Sequence, residues 1–514
     1  MSRRRNDGGF DKEVSRRKFL GYGLTGAALL GSGPVLLSAC GGDDDSGKGG
    51  KTSTSKGGGT GKAAETVKVG VISTYTGVAG FIGDITKRSL TAATKHLDMI
   101  GGIGGRRVKL LERDIAGPEG LPTPQLAVQA VQEFIDDPDC IGILWSGPLN
   151  GLPETLADVD DAGIPLVSVF GDLASYGALY PGNLDNKDIP PEYKGLDLRS
   201  VFQMYLPDKM AIELLVDYCK DRGYKSAGMI FDQLSFGGAG DWWEAAMKDR
   251  GLEIAGLEKF SLFDSEYSQQ VDKLRSAGGD ALFIYGLSSN TAGIVKQVDA
   301  VGGRYSDAQT AMGSDWHPQI MGSPGGTGER SWVELAGQAA RPGTLTVWFL
   351  GGLVGQPEFP IRDMLKAAGY GVPTGGEESP ADGLAALLRA AEEADSTDPD
   401  AMVEALESGI EIKFASPLGF KFSKDRHLSK EKDDLILITL ERQPFDMGYD
   451  LGKEFGTTFP ADYEGPVAFL DYTIEANKRS HPELMKEVEA AYGTYCDISR
   501  QGDDAKVAAC KAVH

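Results

Sequence analysis

A short β-branched run, a glycine-rich loop and a segment of helical period follow one another repeatedly along this chain, and that cycle limits its fold more than any other feature. "VKVGVIS" at residues 67–73 gives way to "TYTGVAGFIGD" and then to "ITKRSLTAATKHLDMI", where Leu90, Ala93, Leu97 and Ile100 recur at helical spacing. The cycle continues with "RRVKLLERD" as strand, "PTPQLAVQAVQEFIDD" as helix, "CIGILWS" as strand, "LPETLADVDDAG" as helix and "IPLVSVF" as strand. After an irregular stretch at 174–198 it starts afresh: "DKMAIELLVDYCKDRG" reads as helix, "SAGMIFD" as strand, "GGAGDWWEAAMKDRG" as helix, "EIAGLEKF" as strand, "YSQQVDKLRSAG" as helix and "ALFIYG" as strand. Strands separated by helices pair in parallel, so the predicted class is α/β with helices on both faces of each sheet. Two such units, with 345–445 adding helices and the strand "LILITL", predict two lobes and a cleft between them. In open parallel sheets ligands sit beyond the carboxyl ends of the strands, so the loops there are the candidates for chemistry.

The N-terminal part does not share this pattern. Arg16, Arg17 and Lys18 precede Phe19–Ala39, a run without charge that is rich in Gly and contains Pro34. Such a run makes a poor permanent span but an adequate export signal. Arg16-Arg17 with Phe19-Leu20 resembles the twin-arginine signal, and Leu37-Ser38-Ala39-Cys40 resembles a lipobox, so 1–39 is expected to be a lipoprotein signal peptide and Cys40 the lipidated mature N-terminus. The alternative is an anchor that is never cleaved; the small residues at 38 and 39 count against it. Residues 41–62, "GGDDDSGKGGKTSTSKGGGTGK", have almost nothing to bury and read as a flexible tether, 40–66 in all, holding the domain roughly 25 Å from its anchor.

The composition is that of a globular protein, with 25% charged and 41% hydrophobic residues. The formal net charge is −23 and no Lys/Arg cluster occurs outside the leader, which argues against nucleic acid as a partner. With Cys40 assigned to lipid, Cys140, Cys219, Cys496 and Cys510 remain, an even set in a disulfide-permissive compartment. Cys496 and Cys510 close the loop "YCDISRQGDDAKVAAC" naturally, leaving Cys140 and Cys219 as a pair or as two buried thiols. No CxxC spacing occurs and His96, His317, His427, His481 and His514 are scattered, so neither a metal nor any other cofactor is expected.

The order "VKVGVISTYTGVAGFIGD", "GGIGGRRVKLLERD", "ILWSGPLNGLPETLADVDDAGIPLVSVF" and "YKSAGMIFDQLSFGGAG" resembles the type I periplasmic binding proteins, in particular the Leu/Ile/Val-binding branch that feeds ABC importers, over about residues 67–445. The resemblance implies two lobes joined by three crossovers, to which 201–209, 344–352 and 416–425 correspond. Lobe 1 would comprise 67–202 and 350–418, lobe 2 would comprise 203–349 and 419–445, and 446–514 would be an extension beyond the family core. A solute would stabilise the closed cleft, which an ABC permease and its ATPase then recognise, with the binder lipid-anchored at the outer face of the cytoplasmic membrane.

The same resemblance places the ligand's carboxylate near Asn150-Gly151 and Phe170-Gly171-Asp172, although the hydroxyl side chains usual there are largely missing and Asp172 would repel an anion. Across the cleft, Phe236 stands where the family has a ligand-contacting tyrosine, Ser288 lies in the loop after "ALFIYG", and Asp315 resembles the acid that pairs with the ligand's ammonium, with Trp316 beside it for a cation–π contact. Phe81 is a further candidate for the cleft wall. Helix capping for Asn150 and Asp172, core packing for the aromatic residues and a solvated loop for Asp315 are the structural alternatives. The expected ligand is a small amino acid or related amine.

Two other classes compete with an importer component. An enzyme would need a site such as GxSxG, HExxH or SxxK in a supporting context, and none is present; "MGSPGG" lies in a Pro/Gly-rich loop. A ligand-sensing lipoprotein that partners a receptor or kinase would use the same fold.

Overall fold

In the computed structural model of the chain, residues 65–440 are described apart from 78, 119, 150, 177–195, 197, 302–315, 317, 328–331, 333–334, 341–343, 350–359, 371–375 and 417–418, together with 467–469 and a few isolated positions beyond. Cys40, Asn150, Asp315, Cys496 and Cys510 lie outside the described residues.

The first repeated unit builds a sheet from β1 (Glu65–Ser73), β2 (Arg106–Asp114), β3 (Cys140–Ser146), β4 (Leu166–Ser168) and β5 (Val201–Gln203). Its order is β2-β1-β3-β4-β5 and every pairing is parallel. Alternate side chains explain why both faces are covered. Val67, Val69 and Val71 of β1 enter one core with Val167 and Phe202, whereas Ile72, Ile143, Trp145, Leu166 and Val201 enter another. "IPLVSVF" yields only the short β4, and just beyond it Ser168 Oγ donates to the Gly171 carbonyl at 2.8 Å.

The second unit repeats the plan. β6 (Ser226–Asp232), β7 (Glu253–Phe260), β8 (Ala281–Tyr285), β9 (Gln319–Gly322) and β10 (Leu345–Phe349) take the order β7-β6-β8-β9-β10, all parallel. Ala281, Phe283 and Tyr285 of β8 face one core while Leu282 and Ile284 face the other, the period-2 signature of a strand covered on both sides. β11 (Leu435–Leu440) and β12 (Val467–Phe469) then extend this sheet antiparallel beyond β10.

Between β10 and β11 the chain returns to the first sheet. The helix Glu378–Glu393 buries Leu384, Leu387 and Leu388 completely in the core shared with Val167, each contributing about 1.5–3 kcal/mol. Phe420, Phe422 and Leu428 also pack in the first sheet's cores, so the stretch 419–445, expected wholly in the second lobe, joins the second sheet only from Leu435. Of the three expected crossovers, 201–209 contains β5 and 344–352 contains β10, so each carries a strand of its own.

The pairing of Cys140 with Cys219 does not occur. Both are free and buried. Cys140 opens β3 in a core of the first sheet, whereas Cys219 lies on the helix Asp208–Asp221 in a core of the second, with its Sγ 3.6 Å from Met321 Sδ. Among the described residues no helix is long and apolar enough to cross a membrane.

Candidate ligand-binding site

In both sheets the order reverses direction beside the first strand, at β1/β3 and at β6/β8, which leaves a crevice at the carboxyl ends. The loops there are shaped by short-range hydrogen bonds. After β1, Thr74 Oγ1 donates to the Ala79 carbonyl at 3.0 Å, and the helix Gly80–Ile100 starts so close that a Cβ on Gly83 would lie 2.4 Å from the Thr74 oxygen. After β3, Trp145 Nε1 donates to the Pro148 carbonyl at 2.9 Å. After β6, Asp232 accepts from the N–H groups of Leu234 and Ser235 at 3.0 and 3.3 Å, a turn that presents Ser235 and Phe236.

These loops surround a cavity that is partly open to solvent. Phe81, Leu149, Phe170 and Asp172 reach it from the first sheet, Ser235, Phe236, Leu287 and Gly325 from the second, and Tyr205 and Asp208 from the segment that joins them. The lining is mainly apolar and aromatic, and Phe236 is held by an edge-to-face contact with Tyr285, 5.9 Å between centroids.

Asp172 and Asp208 dominate the electrostatics. Asp172 accepts from Ser175 N at 3.1 Å, Gln203 Nε2 at 3.0 Å, Asp208 N at 2.8 Å and Ser175 Oγ. Burial raises its pKa, and those hydrogen bonds oppose the rise. Asp208 is 5% exposed and its Oδ1 is buried without a hydrogen-bond partner. Burial first, and then the neighbouring charge of Asp172, push its carboxyl well above the usual range. Behind the pair, the Tyr285 hydroxyl is likewise buried without a partner, and burial with the charges of Asp208 and Asp172 raises it strongly.

The expected residues fall into three groups. Phe81, Asp172 and Phe236 line the cavity. Gly171, Ser288 and Trp316 support structure around it: a Cβ on Gly171 would meet Ser168 Oγ at 2.9 Å, Ser288 Oγ donates to the Gly326 carbonyl at 3.1 Å, and Trp316 packs in a core of the second sheet with Ile320 and Trp332. Asn150 and Asp315 lie outside the described residues. Phe170, expected beside Gly171 and Asp172, lines the cavity too, and so do Asp208, Tyr205 and Trp242, which were not singled out as ligand contacts. The available signal for Asp208 was an acid directly after Pro207 in a segment expected to connect the lobes. Among the described residues no group of three or more His, Cys, Asp or Glu is placed to hold a metal.

Residues 66–432 match the family described as Periplasmic binding protein. A Leu/Ile/Val-binding protein homolog of Brucella melitensis is 23% identical over 240 residues, 46% of this chain and 58% of that protein, so the chain spans little more than half of that relative's length. A type 1 periplasmic binding protein from Bordetella pertussis has a TM-score of 0.59 at 22% identity, covering 73% of this chain and 97% of the other. An ABC transporter solute-binding protein from Rhodopseudomonas palustris, solved in complex with 4-hydroxybenzoate, gives 0.59 at 15% identity over 79% and 97%. The paired sheets, the crevice at their carboxyl ends and the match over most of the folded part agree: the chain belongs to the periplasmic binding protein family, a family of binding proteins rather than enzymes.

Proposed function

We propose that this protein is the solute-binding component of an ABC importer, exported through the twin-arginine signal, anchored by lipid at Cys40 and closing on a small amino acid or related amine. The observation that carries the reading is the cavity itself, lined from the carboxyl ends of both sheets by rings and two carboxylates. A ligand that touches both lobes is bound more tightly by the closed form and shifts the population toward it, and that form is the one a permease would receive. The tether of 40–66 keeps the binder near its permease. The likeness to the Leu/Ile/Val-binding protein homolog supports an amino acid, and the aromatic lining favours a second reading, an aromatic solute such as the one in the Rhodopseudomonas palustris complex.

Thermal unfolding against amino acids, amines, aromatic acids and sugars tests this. A true ligand at a hundredfold excess over its Kd stabilises by about 2.7 kcal/mol. Stabilisation by amino acids or amines supports the first reading, stabilisation by aromatic acids alone supports the second, and no shift with any solute removes both.

A further inference from the structure

We propose that Asp172 occupies from within the place where this cavity would hold a solute's carboxylate, so that the solute it selects carries none and is an amine, an amide or an uncharged aromatic compound. This rests on the cavity being the solute site, and it narrows the readings above to their members without a carboxylate. The loop after β4 has the donors an anion needs: the consecutive amides of Leu173, Ala174 and Ser175, the Ser175 hydroxyl and, from the next helix, the Asp208 N–H. The chain itself takes all of them. Leu173 N and Ala174 N donate to Gln203 Oε1 at 2.7 and 2.9 Å, and Ser175 N, Ser175 Oγ and Asp208 N donate to the Asp172 carboxylate. With its oxygen held by those two amides, Gln203 turns its NH2 group to Asp172, where Nε2 donates at 3.0 Å.

Asp172 is 6% exposed and lines the cavity, so the side chain that has collected these donors is also part of the wall a solute meets. A cap for the short helix Ala174–Tyr176 would need the Ser175 amide alone, which leaves the bonds from Gln203 and Asp208 unexplained. A solute carboxylate brought to this wall would find those donors spent and a charge of its own sign beside it, an unfavourable exchange for the water it leaves. The rest of the lining does not offset that loss. Ile82, Pro148, Leu149 and Phe170 make most of the first sheet's wall apolar, and the described lining residues include no Lys, Arg or His. An amide or an uncharged ring carries no such penalty.

Titration calorimetry of the full chain with two pairs, 4-hydroxybenzoate against 4-hydroxybenzamide and leucine against leucinamide, tests the assignment. Each amide is expected to bind about tenfold or more tightly than its acid. Asp172→Ala frees the donors, and in that variant the acid is expected to gain on the amide by about tenfold, a change that the loss of a merely structural bond would not produce. Equal or tighter binding of the acid in either pair by the parent, or a preference unchanged in folded Asp172→Ala, overturns the inference while the solute-binding reading stands. The comparison on the parent decides the matter even if the variant does not fold. If none of the four binds, the strongest stabiliser in the thermal-unfolding panel decides. A carboxylate there overturns the inference, a solute without one upholds it, and no stabiliser at all removes the inference and the solute-binding reading together.

Discussion

The main-chain N–H of Asp208 donates to Asp172 Oδ2 at 2.8 Å, tying the first residue of a helix on the second sheet to the loop after β4 of the first. Beside it, Lys209 N donates to Ser175 Oγ at 2.9 Å, so a single short loop holds the start of that helix through two consecutive amides. A change in the angle between the two sheets would strain these two bonds unless it turned about them.

Asp172→Ala removes the acceptor for Asp208 N, Ser175 N and Gln203 Nε2 at once, leaving buried donors unmatched. The expected loss is on the order of 3 kcal/mol, read as a lower urea midpoint. Asp172→Asn keeps one acceptor oxygen and should lose less. Equal stability of all three proteins would show that the loop re-forms its bonds elsewhere.

A second set of buried charges makes stability depend on pH. Burial pushes Glu378 up to about 8 from 4.5 and Asp382 up to about 7 from 3.8, although Asp382 accepts from Ala415 N at 2.6 Å. Through the interval between these values the folded chain holds protons that the unfolded chain has released, so both groups make stability fall as pH rises. Lys430, lowered by burial, acts with the opposite sign. The comparison of parent with Glu378→Gln isolates one group: the variant should gain on the parent by about 1.4 kcal/mol per pH unit from 4.5 to 8 and remain level outside that window. A constant difference in denaturant stability across that window would contradict the shift.

Cys140 and Cys219 should resist alkylation in the native protein. Both thiols are buried, and burial raises both, Cys219 to about 12, which removes the reactive thiolate at neutral pH. Peptide mass mapping after N-ethylmaleimide should find the two unlabelled in buffer and labelled in urea. Labelling in buffer would mean that these cores open readily.

Gly83→Ala would set a methyl group 2.4 Å from the Thr74 carbonyl oxygen and 2.6 Å from Tyr75 Cα, both of them backbone atoms. The expected destabilisation is about 1–3 kcal/mol, accompanied by a shift of the Phe81 side chain that lines the cavity. A crystal structure of the variant with Phe81 unmoved would show that the helix start adapts without reaching the site.

The strands were the most legible part of the chain. "RRVKLLERD", "CIGILWS", "SAGMIFD", "EIAGLEKF" and "LILITL" coincide with β2, β3, β6, β7 and β11, because each is a short run set off by turn residues from segments of helical period. The general place of the site followed from the parallel order. Its individual residues were harder to read, since the cavity draws on side chains whose local pattern serves another purpose. Asp208 reads as an ordinary first-turn acid, Trp242 as one face of an amphipathic helix, and Tyr205 as part of a connection. Ser288, polar and close after a strand, instead ties its helix to the short helix Pro324–Thr327 that follows β9.

The match to the family ends at residue 432, and β11 begins at Leu435. The fifth parallel strand of the second sheet therefore has its outer rim sealed by a portion of the chain beyond the matched residues, first β11 and then β12. Trimming the protein back to the family limits would bare the amides and carbonyls of β10 along Leu345–Phe349, a ready template for another molecule's strand. The strands beyond residue 432 satisfy a sheet edge that would otherwise stand open, and a chain cut back to the matched residues is expected to self-associate more readily than the full one.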